Sequence, residues 1–526
     1  MAKGMVPGDK TFEEAVTLTG FGKFNLFLLL ATGGSLMCVI VETMSAMFIT
    51  PAAQCDLNLS LGDKGILYAI SFFGVVSGSH LWGYLADTTG RKRVTIISLI
   101  ISSLLSIICS IVSEVWLFIL LRYFNGFFIA GSSAIIYAYA GEFHDNRYRP
   151  KVVSWIATFV AFGNIYLPGM AWAILPQDWS LDLPVLNAHF RPWRLLMIIY
   201  ALPSLVSVVL VSLLPESPKY LMTKGRSEEA MEVLRKIFVI NSGKSGDEYP
   251  VKSILWINEN TVQHKDNEGI LSSMWNQTVP LFRRTHFLKT VMVCYLQFAI
   301  FLTTSFVMMW YPQILNSMNE LGQTVPENEV TMCKAILYDE SNENNSTDIF
   351  AERLLSVEYK KARALSSTIC HDNVNEEVFF VSLMIGFLYA VCYISIGTVI
   401  NLAGPRKLLI GFISVTTVAG ICAQLISSYT YVQISLGIFL MAATGVGIVN
   451  AIVVDLYPTE IRGMALAVSL MFGRFGAMTG SNIAGYIFFN LCDYAFYIIT
   501  ALHVVVIIVI ILLPSQKPIG QKKGPI

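Results

Sequence analysis

Charge is what this sequence is short of. Only 14% of its 526 residues are charged, while 54% are hydrophobic and the mean hydropathy is +0.60. Soluble domains carry about 25% charged residues, so a soluble globular class is excluded and the chain reads as a membrane protein. The few charges cancel, 36 basic against 36 acidic. No basic stripe stands outside the loops, so nucleic acid is not a partner. The nine cysteines contain no Cys-x-x-Cys pair and no zinc spacing. Most lie singly within apolar runs, where a free thiol behaves as a small hydrophobe. The sequence has no Gly-x-x-x-x-Gly-Lys-Ser/Thr loop, which excludes a primary ATP-driven pump. It has no nucleophile–base or metal constellation on any loop, so it is not read as an enzyme and implies no cofactor or metal. Nor does it open on a cleaved signal peptide. The first apolar run follows a polar tail, exceeds the roughly 7–15 residues of such a segment, and carries Glu42.

What is present is apolar length. A bilayer core needs about 20 apolar residues per helix. Twelve such runs follow one another, at 24–50, 63–86, 94–113, 115–141, 152–175, 194–214, 287–313, 377–401, 407–427, 430–455, 463–489 and 492–513. The expected fold class is therefore an all-α membrane protein of twelve transmembrane helices in two six-helix halves. The expected domains are a cytoplasmic tail at 1–23, an N-terminal half at 24–214, a cytoplasmic linker at 215–286, a C-terminal half at 287–513 and a cytoplasmic tail at 514–526.

Orientation follows from the loops. With the N-terminus inside, the short inner loops hold Arg91, Lys92, Arg93, Arg147, Arg149, Lys151, Arg406, Lys407 and Arg462. The short outer loops hold only Lys64, Arg191 and Arg194. Cationic loops stay on the cytoplasmic side, so both termini are expected there.

Two internal repeats support the six-plus-six layout. The turn Gly83-Tyr-Leu-Ala-Asp87-Thr-Thr-Gly90-Arg91-Lys92 has a degenerate copy in Gly397-Thr-Val-Ile-Asn401-Leu-Ala-Gly404-Pro405-Arg406-Lys407. An acid seven residues before an arginine recurs in Glu142 to Arg149 and Asp455 to Arg462. Parallel halves with a site at their interface describe a rocking transporter. Asp87 stands at the C-terminal end of a helix, where a carboxylate is unfavourable without a partner. The cations of its own turn can serve, or the N-terminus of another helix. The second choice makes Asp87, Arg91, Lys92, Glu142, Arg149, Asp455 and Arg462 a cytoplasmic gate that breaks when the cavity opens inward.

The linker opens on Pro215-Glu-Ser-Pro218, which breaks a helix. A short amphipathic helix over 228–238 follows, read as a strap between the halves. The seventh run ends in Trp310-Tyr311-Pro312-Gln313, an interfacial aromatic pair and a stop. The loop over 315–376 is polar and holds Cys333, Cys370 and the overlapping sequons at Asn344 and Asn345. An exported loop of this kind is expected to carry a Cys333–Cys370 disulfide and one N-glycan.

Gly83 to Lys92, Pro215-Glu-Ser-Pro-Lys219 and the block from Asp455 to Arg462 resemble the major facilitator superfamily, near its sugar and organic-ion porters. Gly169-Met-Ala-Trp172-Ala-Ile-Leu-Pro176, the long loop after the seventh run and Asp455-Leu-Tyr-Pro458 are similar to the synaptic vesicle glycoprotein 2 family. Departures mark a divergent relative of invertebrate type. That family's N-terminal extension is missing, the loop is shorter, Val39 replaces one of two acids in the first helix, and a tryptophan near Val446 is replaced. A ligand pocket carried over from the family is then half preserved.

Ionisable groups within a bilayer are costly, so each is a functional candidate. Glu42 and Arg122 lie at similar depth, with Asn125 one turn beyond Arg122. They are read as a coupling pair for substrate or protons, or else as a structural ion pair. Asn164, Trp172, Gln297 and Asn450 are the lining candidates, with an interfacial anchor or interhelical hydrogen bonds as the plainer readings. Arg474 and His503 are buried too, the histidine as a packing residue. The expected partners are a small-molecule substrate, a coupling proton or ion, and the lipid bilayer. Function is expected to be secondary transport of a sugar or organic ion. The alternative is a transporter-like vesicle protein that acts through protein partners in exocytosis.

Overall fold

The structure, a computed structural model, describes residues 9–145, 147–177, 179–183, 188–255, 279–323, 325–326, 330–336, 375–457 and 459–514. Helical rods occupy all twelve apolar runs. In the N-terminal half these are α1 (Lys23–Met44, resuming as Ala46–Ala53), α2 (Leu61–Thr89), α3 (Arg91–Cys109), α4 (Val115–Gly141), α5 (Arg149–Ala157, resuming as Phe159–Ile174) and α6 (Pro192–Ser212). The C-terminal half contains α7 (Phe287–Met308, resuming as Tyr311–Gly322), α8 (Glu376–Ala403), α9 (Pro405–Leu425), α10 (Tyr429–Leu440, resuming as Gly445–Leu456), α11 (Thr459–Asn490) and α12 (Ala495–Leu512).

Among the described residues ten rods are long and apolar enough to cross a membrane, and α2 is an eleventh although bent by 44°. Among the described residues only α11 falls short by composition, since its middle holds Arg474 and several glycines. Those glycines serve packing. A Cβ at Gly476 would stand 2.2 Å from the Phe298 carbonyl oxygen, and one at Gly480 2.2 Å from that of Leu302. Helices α7 and α11 thus meet backbone to backbone, as small residues permit in membranes. Between the halves the main contacts are α2 with α11 and α5 with α8.

The apolar core is divided unequally. On the face opposite the Arg91 turn, one cluster joins both halves, from Phe48, Tyr68 and Trp193 to Trp310, Phe379 and Phe488. Tyr68 meets Trp310 edge-on at 5.0 Å and Phe48 meets Phe379 at 6.1 Å, both across the halves. On the basic face each half keeps its own cluster, one around Phe24, Trp82 and Tyr139, the other around Ile300, Ile452 and Tyr457.

Three expectations need correction. Pro312 starts a helical segment instead of stopping one, because the first turn of a helix has no use for the missing N–H. Trp310 and Tyr311 are each 2% exposed, so they are core residues and not an interfacial belt. The helix Ser227–Ser242 buries Ala230, Leu234 and Ile237 in the N-terminal half's cluster, so among the described residues it docks on that half and straps nothing together. Asn241 holds it there, accepting from the Phe24 N–H at 3.0 Å and donating to Asn25 at 2.9 Å.

The disulfide also differs. Cys333 is joined to Cys492, with Cα atoms 5.6 Å apart, and Cys55 is disulfide-bonded too. Cys370, Asn344 and Asn345 lie outside the described residues. The Cys333–Cys492 bond ties the segment after α7 to the α11–α12 turn across 159 residues. Such a loop is worth about 5 kcal/mol in the chain-entropy model. Non-reducing peptide mapping of protein from a secretory host is expected to recover the Cys333 and Cys492 peptides joined. Recovery of Cys333 joined to Cys370 would contradict it.

Candidate functional site

Glu42 lies one turn before the break in α1 and is fully buried. Among the described residues its carboxylate meets only neutral donors. Ser106 of α3 donates at 2.5 Å, Asn125 of α4 at 3.0 Å and Ser204 of α6 at 3.4 Å. Arg122, 1% exposed, does not take the carboxylate. Its Nη2 donates to the main-chain carbonyl of Glu42 at 2.6 Å and to Ser45 Oγ at 2.9 Å. The geometry has a local cause. Carbonyls in a helix's last turn lack an intrahelical donor, and the break at Ser45 puts the Glu42 carbonyl in that position. Arg122 Nη1 is buried without a hydrogen-bond partner among the described residues. The two side chains therefore share a site inside the N-terminal half without forming a contacting ion pair.

The lining candidates fall into separate places. Gln297 on α7 donates to Asn450 on α10 at 2.7 Å. Asn164 on α5 sits where α8 crosses, its main-chain oxygen 2.7 Å from a Cβ built at Gly386. Its Nδ2 bonds back to Val160 at 3.2 Å, and its Oδ1 is buried without a partner among the described residues. Trp172 lies about two turns beyond Asn164, near the end of α5. It reaches Glu376 at 3.5 Å and packs edge-on to Phe380 of α8 at 6.1 Å. His503 stacks on Phe439 and bonds Thr303 at 2.9 Å.

The gate residues make a network on the basic face. Arg91 pairs with Asp87 at 2.9 Å and with Glu142 at 3.3 Å. The Asp87 side chain is 73% exposed, so that pair is worth little, whereas the Glu142 side chain is 12% exposed. Burial raises the Glu142 carboxyl above the ordinary range, and Arg91 opposes that shift. Lys92 Nζ donates to the Ser212 carbonyl at 2.7 Å. Arg149 turns elsewhere, to Glu13 at 2.9 Å and to the carbonyls of Gly141 and His144 at 3.0 Å. The bonds of Asp87, Arg91, Lys92 and Glu142 thus tie α2, α3, α4 and α6 together within one half. The side chains of Asn401, Asp455 and Arg462 lie outside the described residues.

Sequence reading missed the centre of this network. Glu216, taken as part of a helix breaker, accepts from the N–H groups of Arg91 at 3.0 Å, Lys92 at 3.1 Å and Ser217 at 2.9 Å. A carboxylate there satisfies orphan donors and the positive end of α3. Only glycine fits at position 90, where φ is +112° and a Cβ would stand 2.4 Å from Glu216 Oε2. Glu216→Ala is expected to destabilise the protein by about 1–2 kcal/mol, the value of a lost cap. Melting of the detergent-purified variant measures it, and an unchanged melting temperature would contradict the capping role.

Comparison with known proteins follows the same lines. The family model described as Major Facilitator Superfamily matches residues 31–325 and 375–525. The chain belongs to the major facilitator superfamily. It is 24% identical to human synaptic vesicle glycoprotein 2B over 556 residues, covering 90% of this chain and 80% of that protein. Against mouse synaptic vesicle glycoprotein 2B it is 29% identical over 322 residues, 58% of this chain and 47% of the relative. Against human synaptic vesicle glycoprotein 2A the figures are 32% over 257 residues, 48% and 34%. In these last two matches the chain spans less than half the relative's length. Among solved structures, the partially occluded inward-open xylose transporter XylE from E. coli matches with a TM-score of 0.61 at 14% identity, covering 96% of this chain and 99% of that one. The nucleoside transporter NupG matches with a TM-score of 0.56 at 13% identity, covering 94% and 100%. At such identity these likenesses show the fold alone.

In this superfamily member a further signal was present in the sequence and overlooked. Ser98, Ser102 and Ser106 of α3 and Ser110 at its C-terminal cap recur every four residues and are all buried. That spacing puts them on one helix face. Ser102 and Ser106 are the hydroxyls that hold Asn125, each at 3.0 Å.

Proposed function

We propose that the protein is a secondary transporter that carries a small organic solute, a sugar or an organic ion, by alternating access. One observation carries this reading. The halves share a single apolar cluster at one face and keep separate clusters at the other, the arrangement of a rocking carrier closed at one end. The basic turn at Arg91 supports placing the unjoined face and both termini in the cytoplasm. Asn164, Gln297 and Asn450 are the polar groups offered to the solute, and Trp172 the aromatic at the joined face. Glu42, held by three neutral donors, is the group proposed to take up and release a coupling proton. Uptake of a mixed solute library into sealed proteoliposomes, with and without a pH gradient, tests the reading. Accumulation that follows the gradient is expected. No accumulation of any solute in either condition would count against transport.

The likeness to synaptic vesicle glycoproteins 2A and 2B favours a second reading, a transporter-like vesicle membrane protein that acts through protein partners. It is the reading to adopt if reconstituted protein is folded and silent in that assay.

A further inference from the structure

Well inside the spans the described residues place three formal charges, those of Glu42, Arg122 and Arg474. Glu42 and Arg122 share one site, joined through the Glu42 main-chain carbonyl. Arg474 does not belong to that site. It sits at the middle of α11, the helix that contacts α2 across the halves. Its Nη1 donates to Ser79 Oγ of α2 at 2.6 Å, and its Nη2 donates to Ser133 Oγ of α4. Both acceptors are neutral hydroxyls, and no carboxylate pairs with the guanidinium among the described residues. The residue is half-buried. An uncompensated cation at mid-membrane is costly and marks a substrate path. A planar guanidinium is suited to bidentate capture of a carboxylate or a similar oxyanion.

We infer that Arg474 is the anchor of a binding site for an organic anion, with the hydroxyls of Ser79 and Ser133 completing it from the other half. This deepens the transport reading and rests on it, because it names the class of solute carried. A site shared between α11 of one half and α2 and α4 of the other also links binding to rocking. An anion that takes over the guanidinium loosens its bonds across the halves, and the anion's own contacts replace them.

Two measurements test it. First, proteoliposomes containing the wild type, Arg474→Gln or Arg474→Lys are offered one mixture of benzoate, succinate, glucuronate, benzamide, choline, glucose and xylose. The expected result is that the accumulated solutes are carboxylates, that Arg474→Gln loses at least tenfold in their uptake, and that Arg474→Lys keeps part of it. Accumulation of glucose, xylose or choline, undiminished in Arg474→Gln, overturns the anion site and leaves transport standing. Second, melting is followed in detergent with the same solutes, which needs no transport. Carboxylates are expected to raise the melting temperature of the wild type while benzamide does not, and the rise is expected to vanish in Arg474→Gln. Ligand-free Arg474→Gln is expected to melt at or above the wild-type temperature, since it removes an unpaired charge. A large fall there, with no carboxylate-dependent rise in the wild type, makes Arg474 a structural clamp and overturns the proposal. If nothing is taken up but the Arg474-dependent rise is present, the transport reading fails and the anion site remains.

Discussion

Glu42→Gln is expected to abolish gradient-driven uptake and leave the protein folded. The amide keeps the shape of the side chain, and its oxygen still accepts from Ser106 and Asn125 while its nitrogen donates to Ser204. What disappears is the charge and its titration. The bond from Arg122 to residue 42 is untouched, because it ends on the main-chain carbonyl. Arg122→Gln behaves differently. It removes the donor to the Glu42 carbonyl and to Ser45. Hydrogen bonds that involve a charged partner are worth about 1.5–3 kcal/mol each. A loss of that order or larger is expected in the melting of purified Arg122→Gln. The double variant is expected to melt close to Arg122→Gln alone, since a glutamine at position 42 restores neither lost bond. A contacting ion pair would give the opposite result, with the double variant recovering most of the stability. Gradient-driven uptake by Glu42→Gln at the wild-type rate would sink the coupling role.

The second large effect is expected at the α7–α11 crossing. Gly476→Ala adds one methyl group where the Phe298 carbonyl oxygen stands 2.2 Å away. Backbone cannot step aside as a long side chain can, so the two helices must part. Overpacking in a filled core costs about 1–3 kcal/mol and occasionally more. Because the obstacle is backbone, the upper end or beyond is expected for Gly476→Ala. Gly476→Leu is expected to yield no monodisperse protein by fluorescence-detected size exclusion. Gly411→Ala on α9 is the control, since a Cβ there meets nothing within 4 Å. That change is expected to be neutral or to stabilise by up to about 1 kcal/mol through helix propensity. Equal melting of Gly476→Ala and wild type would contradict the close approach.

The membrane class and the places of the twelve helices were legible in the sequence by itself. A lipid-exposed backbone has to satisfy its hydrogen bonds within each segment, so apolar length alone fixes where helices stand. The Gly83–Lys92 turn was legible for a related reason. A glycine that has to take φ of +112°, followed by cations, leaves a local signature. The tertiary structure decided what lies across the chain. Helix breaks at Ser45 and at Met309–Trp310 leave no dip in hydropathy, yet the first turns the Glu42 carbonyl toward Arg122. Glu216 could not be read as the cap of α3, since 125 residues separate it from Arg91. The partner of Cys333 lies 159 residues away, and only the fold brings α11 and α12 beside the end of α7. Arg474 was visible as a charge in an apolar run. That it meets two serines of the opposite half, and no acid among the described residues, follows from the docking of α11 on α2, which no local pattern encodes.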